Sequence, residues 1–188
     1  MLTPTAQKMA ARIACLAGML LIGMRLAMSD TPVTTAMWQH REIKFTYIGL
    51  STSYSCDGLQ QDIRALLLYF GARKDVKVTT SGCPSPTDIS RSAFVDADFY
   101  VLAPVTNRVD SETLAASWTE VEVRPRHPDF MDSGNCELVE QMKDSILNAF
   151  AVQDVDYRTD CFPHEVNLHA YEIKGWVLKP AAAAKAGK

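Results

Sequence analysis

The chain has 188 residues, 47% hydrophobic and 22% charged, which is ordinary for a globular protein and enough for one domain with a real core. Its formal net charge is −3, but the first 29 residues hold Lys8, Arg12 and Arg25 and no acid, leaving 16 basic against 22 acidic residues in the remainder. That balance speaks against the clustered Lys and Arg of a nucleic-acid footprint, and no nucleic-acid partner is expected.

Residues 1–29 read as an export signal. Lys8 and Arg12 precede the apolar run Ile13 to Met24, and Ala27-Met28-Ser29 offers small residues at a cleavage site before Asp30. The run is short for a spanning helix, which needs about 20 apolar residues. Arg25 is atypical so close to the cut. The rival reading is an uncleaved inner-membrane anchor over residues 13–28, the one expected route to a membrane. Cys15 then belongs to the signal. Four cysteines remain, Cys56, Cys83, Cys136 and Cys161. In an exported chain an even count implies disulfides, here with three pairings open. No C-x-x-C spacing points to redox catalysis or zinc.

Residues 30–41 form a polar lead in which Trp38 is a candidate to dock on the domain. Ile43, Phe45 and Tyr47 alternate with polar residues, so 42–49 is a strand with one buried face. The hydroxyl-rich loop GLSTSYS follows. Asp57 is the expected N-cap of a helix, with Gln60 as capping-box partner. Leu59, Ile63, Leu66, Leu67 and Phe70 make its apolar stripe, and Gly71 suits the position just past its end. Val76 and Val78 mark a short strand leading to Cys83. A proline-broken loop, a strand over Phe94 to Ala103 and a polar linker from Pro104 to Ala116 follow.

The second half repeats the plan. Thr119, Val121 and Val123 alternate as a strand, and residues 124–135 form a long turn. Asn135 is the expected N-cap of a helix whose stripe is Val139, Met142, Ile146, Leu147 and Phe150. Val155, Tyr157 and Thr159 mark a strand delivering Cys161. Val166 to Leu178 is the last strand, with a bulge expected near Gly175. Residues 179–188 read as a disordered tail. At an offset of 80, Cys56, Leu59, Gln61, Leu66, Leu67 and Phe70 land on Cys136, Val139, Gln141, Ile146, Leu147 and Phe150. The offset falls to 79 at Val76 and to 78 at Cys83. Two β-α-β-β repeats, 42–104 and 117–178, therefore make one α+β domain. The expected fold is a two-layer sandwich: a mainly antiparallel six-stranded sheet with two helices on one face. A residue before such a helix comes near the end of the next strand, which favours Cys56–Cys83 and Cys136–Cys161. A homodimer through the open sheet face is compatible with this plan, though no stripe demands it.

No residue set spells out a reaction. His40, His127, His164 and His169 lack a metal-ligand spacing, and neither metal nor cofactor is expected. Ser51, Ser53 and Ser55 stand beside Asp57 without a G-x-S-x-G elbow. No phosphate-binding glycine loop is present. Arg124, Arg126 and His127 form a compact basic cluster before a helix N-terminus, suited to an anionic group. Tyr54 borders the corresponding loop of the first half, so these four are the candidate binding residues. The expected role is an exported, non-catalytic domain that binds a protein or cell-envelope component. The alternative is a small periplasmic hydrolase or transferase using loops 50–57 and 124–135.

The run FTYIGLSTSYSCDGLQQDIRALLLYFGARKDVKV, with NCELVEQ and TDCFPH later, resembles a group of small exported proteobacterial proteins of unknown function. The likeness covers roughly Phe45 to Leu178 and rests on a Y-S-C-D-G-L motif, the four cysteines and the helix starts. It implies a periplasmic or secreted bacterial domain and carries no catalytic residue with it.

Overall fold

The structure, a computed structural model, describes residues 32–50, 52–105, 112–161 and 171–181. The signal segment with Cys15, Ser51, residues 106–111 of the linker, residues 162–170 with His164, His169 and the start of the expected last strand, and the tail beyond 181 lie outside them. In chain order the elements are β1 (Val33–Ile48), β2 (Tyr54–Ser55), α1 (Cys56–Phe70), β3 (Lys77–Ser81), β4 (Ile89–Ser90), β5 (Ser92–Pro104), β6 (Leu114–Val123), α2 (Cys136–Ala149), β7 (Val152–Thr159) and β8 (Tyr171–Pro180). A short 3-10 turn, Ser133–Asn135, leads into α2. The main sheet is antiparallel with strand order β3-β5-β1-β6-β8-β7. β2 and β4 form a separate two-stranded ladder beside it.

The order is symmetric about its middle. Each half contributes three adjacent strands and one helix, and the halves meet where β1 pairs with β6. This is the two-layer α+β sandwich of two β-α-β-β repeats. Ile43 and Tyr47 of β1, Val95, Ala97, Phe99 and Val101 of β5, Val121 and Val123 of β6, and Ile173 and Val177 of β8 pack with both helix stripes into one core. Phe150 joins the halves at its centre: its ring lies 5.8 Å from Phe70 and 5.7 Å from Phe99.

β1 begins at Val33, not at residue 42, and β6 begins at Leu114, not near 119. Both early stretches point the other set of residues inward. Ala36 and Ala116 are buried on the helix-free face, in a second small cluster with Leu102 and Leu178. Ile43 and Val121 are buried on the helix face. The buried side changes part-way along each strand, so a single alternating pattern ends there and the first part reads as a polar lead. Lys179 and Pro180 likewise belong to β8 rather than to a tail.

Pairing of β1 with β6 is brief, running only from Val33 opposite Ser117 to Ala36 opposite Leu114. Past it a wedge opens, and each half's helix supplies the missing backbone partners of the other half's strand. Gln141 of α2 accepts from the Ile48 N–H and donates to its carbonyl, both at 2.7 Å. Tyr69 of α1 donates to the Glu122 carbonyl at 2.9 Å and accepts from the Glu122 N–H at 3.2 Å. Arg41 of β1 donates to the Ala149 carbonyl at the end of α2. Buried strand edges need such partners.

Ser55, not Asp57, caps α1, accepting from the Gly58 N–H at 3.0 Å. The helix ends as expected at Gly71, whose φ of 103° suits glycine, with Ala72 N–H donating back to Leu67. The irregularity expected at Gly175 lies on its neighbour: β7 shifts register between Gln153 and Asp156, with Asp154 at a φ of 48°. A Cβ at position 175 would meet the Gln153 carbonyl oxygen at 3.2 Å. Disulfides join Cys56 to Cys83 and Cys136 to Cys161, with Cα atoms 6.0 and 5.8 Å apart, one bridge per repeat. Two such bridges point to an oxidising, extracytoplasmic compartment. Among the described residues no helix is long and apolar enough to cross a membrane.

Candidate functional site

The two loops singled out in the sequence meet. The first runs from Gly49 to Ser55; the second runs from Arg124 to Asn135, between β6 and α2. Glu137, in the first turn of α2, is 7% exposed. It accepts from the Leu50 N–H at 2.9 Å and the Thr52 N–H at 3.3 Å. An acid suits the positive start of a helix, and here it also fastens the opposite loop. Tyr47 donates to the Thr52 carbonyl at 2.6 Å.

Asn135 sits at the N-cap of α2, but its side chain makes no cap bond to that helix. Its oxygen accepts from the Asp132 N–H at 2.6 Å, closing a capping box on the 3-10 turn. Its amide donates to the Tyr54 hydroxyl at 2.7 Å and to Asp62 at 3.4 Å. Asn135 thus ties both loops to α1. Burial pushes the Asp62 carboxyl above the usual carboxylate range; the hydrogen bond from Asn135 opposes this and nearby Asp132 adds to it. Burial also raises Tyr47, Tyr54 and Tyr171, so all three stay neutral hydroxyls at physiological pH.

The shift at Asp62 has a sign that an experiment can read. A carboxyl raised in the folded state stabilises the fold relative to ordinary titration only while it is protonated. That contribution is full below the unfolded value of 3.8 and is lost as pH rises through the folded value. Asp62→Asn is therefore expected to raise the melting temperature at pH 7 relative to its effect at pH 3, where both proteins carry a neutral side chain. Melting curves of the two proteins across that range test it, and an equal or smaller gain at pH 7 sinks the assignment.

The second loop turns tightly. Arg124 and His127 exchange backbone hydrogen bonds, and the Arg126 N–H donates to the Met131 carbonyl at 2.8 Å. Met131 is buried and anchors the turn. Arg126 holds a φ of 65°, a left-handed conformation uncommon for a residue with a Cβ. Beside this turn an open cleft of about 580 Å³ is lined by Arg124, Pro125, Arg126, Asp132, Ser133, Tyr171 and Glu172. Tyr171 donates to the Asp132 carbonyl at 2.6 Å and forms its floor. Arg124 pairs with Glu122 at 2.9 Å. Among the described residues Arg126 has no ion-pair partner. The Asp132 carboxylate is engaged by the Gly134 N–H at 2.7 Å.

Two of the four residues proposed from sequence, Arg124 and Arg126, thus line one cleft. The other two serve elsewhere. Tyr54 is held by Asn135 and packs edge-on against Tyr47 at 5.2 Å. His127 turns from the cleft to Tyr69, with its Nε2 3.4 Å from the Tyr69 hydroxyl. Tyr171, Ser133 and Glu172 escaped the sequence reading. Tyr171 opens β8 and reads there as one more alternating core residue. Ser55 of the serine-rich loop spends its hydroxyl on capping α1. Among the described residues no group of three His, Cys, Asp or Glu is placed to hold a metal ion.

Comparison with known proteins gave nothing to transfer: no protein-family model, no curated protein and no solved structure matches this chain.

Proposed function

We propose that this is a non-catalytic binding domain of the periplasm or the secreted space, which grips a protein or cell-envelope component through the cleft beside β8. The observation that carries the reading is the Arg126 turn. A non-glycine residue in a left-handed conformation costs free energy, and such costs gather at functional sites. Here it sets a guanidinium with no acidic partner among the described residues at the rim of a cleft that already holds Arg124. A guanidinium pair is suited to a carboxylate or phosphate, which it bonds with planar, charge-assisted geometry. Asp132 and Glu172 on the same walls favour a ligand with donors next to its anionic group, as in the end of a peptide. The resemblance to small exported proteobacterial proteins agrees with the compartment.

Crosslinking in intact cells followed by co-purification tests this. The expected result is a discrete crosslinked partner whose yield falls about tenfold with Arg126→Ala, in a protein that melts normally. Turnover by the purified domain that disappears with Ser53→Ala or Asp57→Asn would overturn the reading in favour of an enzyme. N-terminal sequencing of the mature protein settles whether residues 1–29 are removed.

A further inference from the structure

Five of the eight large hydrophobic side chains exposed among the described residues belong to the end of the domain where the two loops meet: Ile48, Leu50, Ile89 and Phe94 in the first repeat, and Phe130 on the second loop. Ile89 is the most exposed of the eight at 73%, and Leu50 is 51% exposed. Single exposed residues of this kind need no explanation, whereas a cluster marks an interaction surface. Register and hydrogen bonds join the members from the first repeat. Ile48 lies opposite Ser92 on β5, so Phe94 is its diagonal neighbour on one face. The Gly49 N–H, between Ile48 and Leu50, donates to the Arg91 carbonyl at 2.7 Å, and Ile89 lies two residues earlier on β4. The segment that presents Ile89 is the hairpin connection between β3 and β5, closed by the pair Ser81–Phe94. It runs over residues 82–91, where about two to five residues are usual. Its shape is fixed from several sides. Cys83 is bonded to Cys56, the Asp57 N–H donates to the Pro86 carbonyl at 3.0 Å, and Ile89 and Ser90 pair with Ser55 and Tyr54 of β2. A surface fixed beforehand loses little freedom on binding.

We propose that this rim receives the apolar side chains of a protein's carboxyl-terminal segment whose terminal carboxylate lies in the arginine-lined cleft; the proposal rests on the cleft reading above and extends it. Continuity of the two surfaces carries it. The loops touch at Gly134, next to the cleft residue Ser133: a Cβ there would lie 3.5 Å from the Thr52 Oγ1. Thr52 is two residues from Leu50, ~7 Å along an extended chain. A peptide leaving the cleft over Gly134 therefore meets Leu50 next, with Ile48 and Ile89 beyond it. The chemistry changes along that path from guanidinium to hydroxyl to apolar side chain, which matches a peptide with a charged end and an apolar body. A bilayer surface fits less well. Asp88 and Arg91 flank Ile89 with opposite charges, while anionic lipid selects basic residues around an apolar patch.

The test uses the full chain and a library of peptides of about seven residues displayed with a free carboxyl end, ~23 Å when extended. The expected result is enrichment of peptides with apolar residues upstream of the terminus. A synthetic member is expected to bind about tenfold more weakly to Ile89→Asp and to Leu50→Ser than to the unchanged protein. Both side chains are more than half exposed, so neither variant disturbs the core, and matching melting curves verify that. The amidated form of the same peptide probes the cleft alone and is expected to bind about tenfold more weakly as well. Full affinity for both rim variants, with the amide weakened, overturns this proposal and leaves the cleft reading standing. Equal binding of acid and amide overturns the cleft reading and this proposal with it. No enrichment from the library overturns the proposal. So does sedimentation showing a dimer that Ile89→Asp dissolves, because the rim would then belong to a second copy.

Discussion

Reduction of the two disulfides is expected to lower the unfolding free energy by about 3 kcal/mol per bridge. The bridged cysteines are 27 and 25 residues apart in sequence. In the chain-entropy account, closing a loop of that length removes conformations mainly from the unfolded state. A domain of this kind has only about 5–15 kcal/mol in total, so losing both bridges removes much of its reserve. Each bridge also spans a helix start and the end of the strand that follows. Cys56 precedes β3 in its repeat as Cys136 precedes β7. Urea titration of the oxidised protein, of each single-bridge Cys→Ser pair and of the reduced form measures the effect. A reduced protein with an unchanged midpoint would show that the bridges are decorative.

Phe150→Ala is expected to cost about 3–5 kcal/mol, as large as any single change in the core. Phe150 is 7% exposed and sits at the end of α2. Its ring meets Phe70 at the end of α1 and stacks on Phe99 of β5 at an interplanar angle of 26°. Truncation would open a hole between the repeats, bounded by two rings that cannot both collapse into it. Denaturant unfolding with two independent probes is the measurement, since a lost junction between halves can also split one transition into two. A cost below about 1 kcal/mol would mean the halves are joined chiefly by the backbone contacts at Ile48 and Glu122.

The repeats, both helix stripes and the disulfide pairing were legible because each rests on short-range rules: a helical period, a terminal glycine, a cysteine before a helix. What escaped was set at long range. The first third of β1 and of β6 is buried on the side opposite to the rest, and nothing local marks that change. Trp38 therefore read as a residue docking on the domain from a polar lead, and Trp118 drew no reading. Asp57 read as the cap of α1 because Gln60 stands three residues on as a capping-box partner, while Ser55 reaches the Gly58 N–H from the true cap position. At the site, two arginines close together pointed to the cleft, but its floor did not. Tyr171 arrives from the far end of the chain, and its hydroxyl bond to Asp132 exists only because β8 runs beside β6. His127 packs on Tyr69 while its neighbours line the cleft because a turn can aim adjacent side chains to opposite sides, and Arg126 in its left-handed conformation is where that happens.

The short pairing of β1 with β6, with each helix completing the strand of the other repeat, has the geometry of a symmetric homodimer of two β-α-β-β chains. In such a dimer the stability of the assembly would rise and fall with protein concentration. Here the two partners are consecutive stretches of one polypeptide, so the second repeat is always present at a high effective concentration. A protein working outside the cytoplasm thereby keeps its shared core at any abundance. The two copies of the unit also differ in detail: Gln141 bonds both backbone groups of Ile48, and among the described residues its counterpart Gln61 makes no such contact.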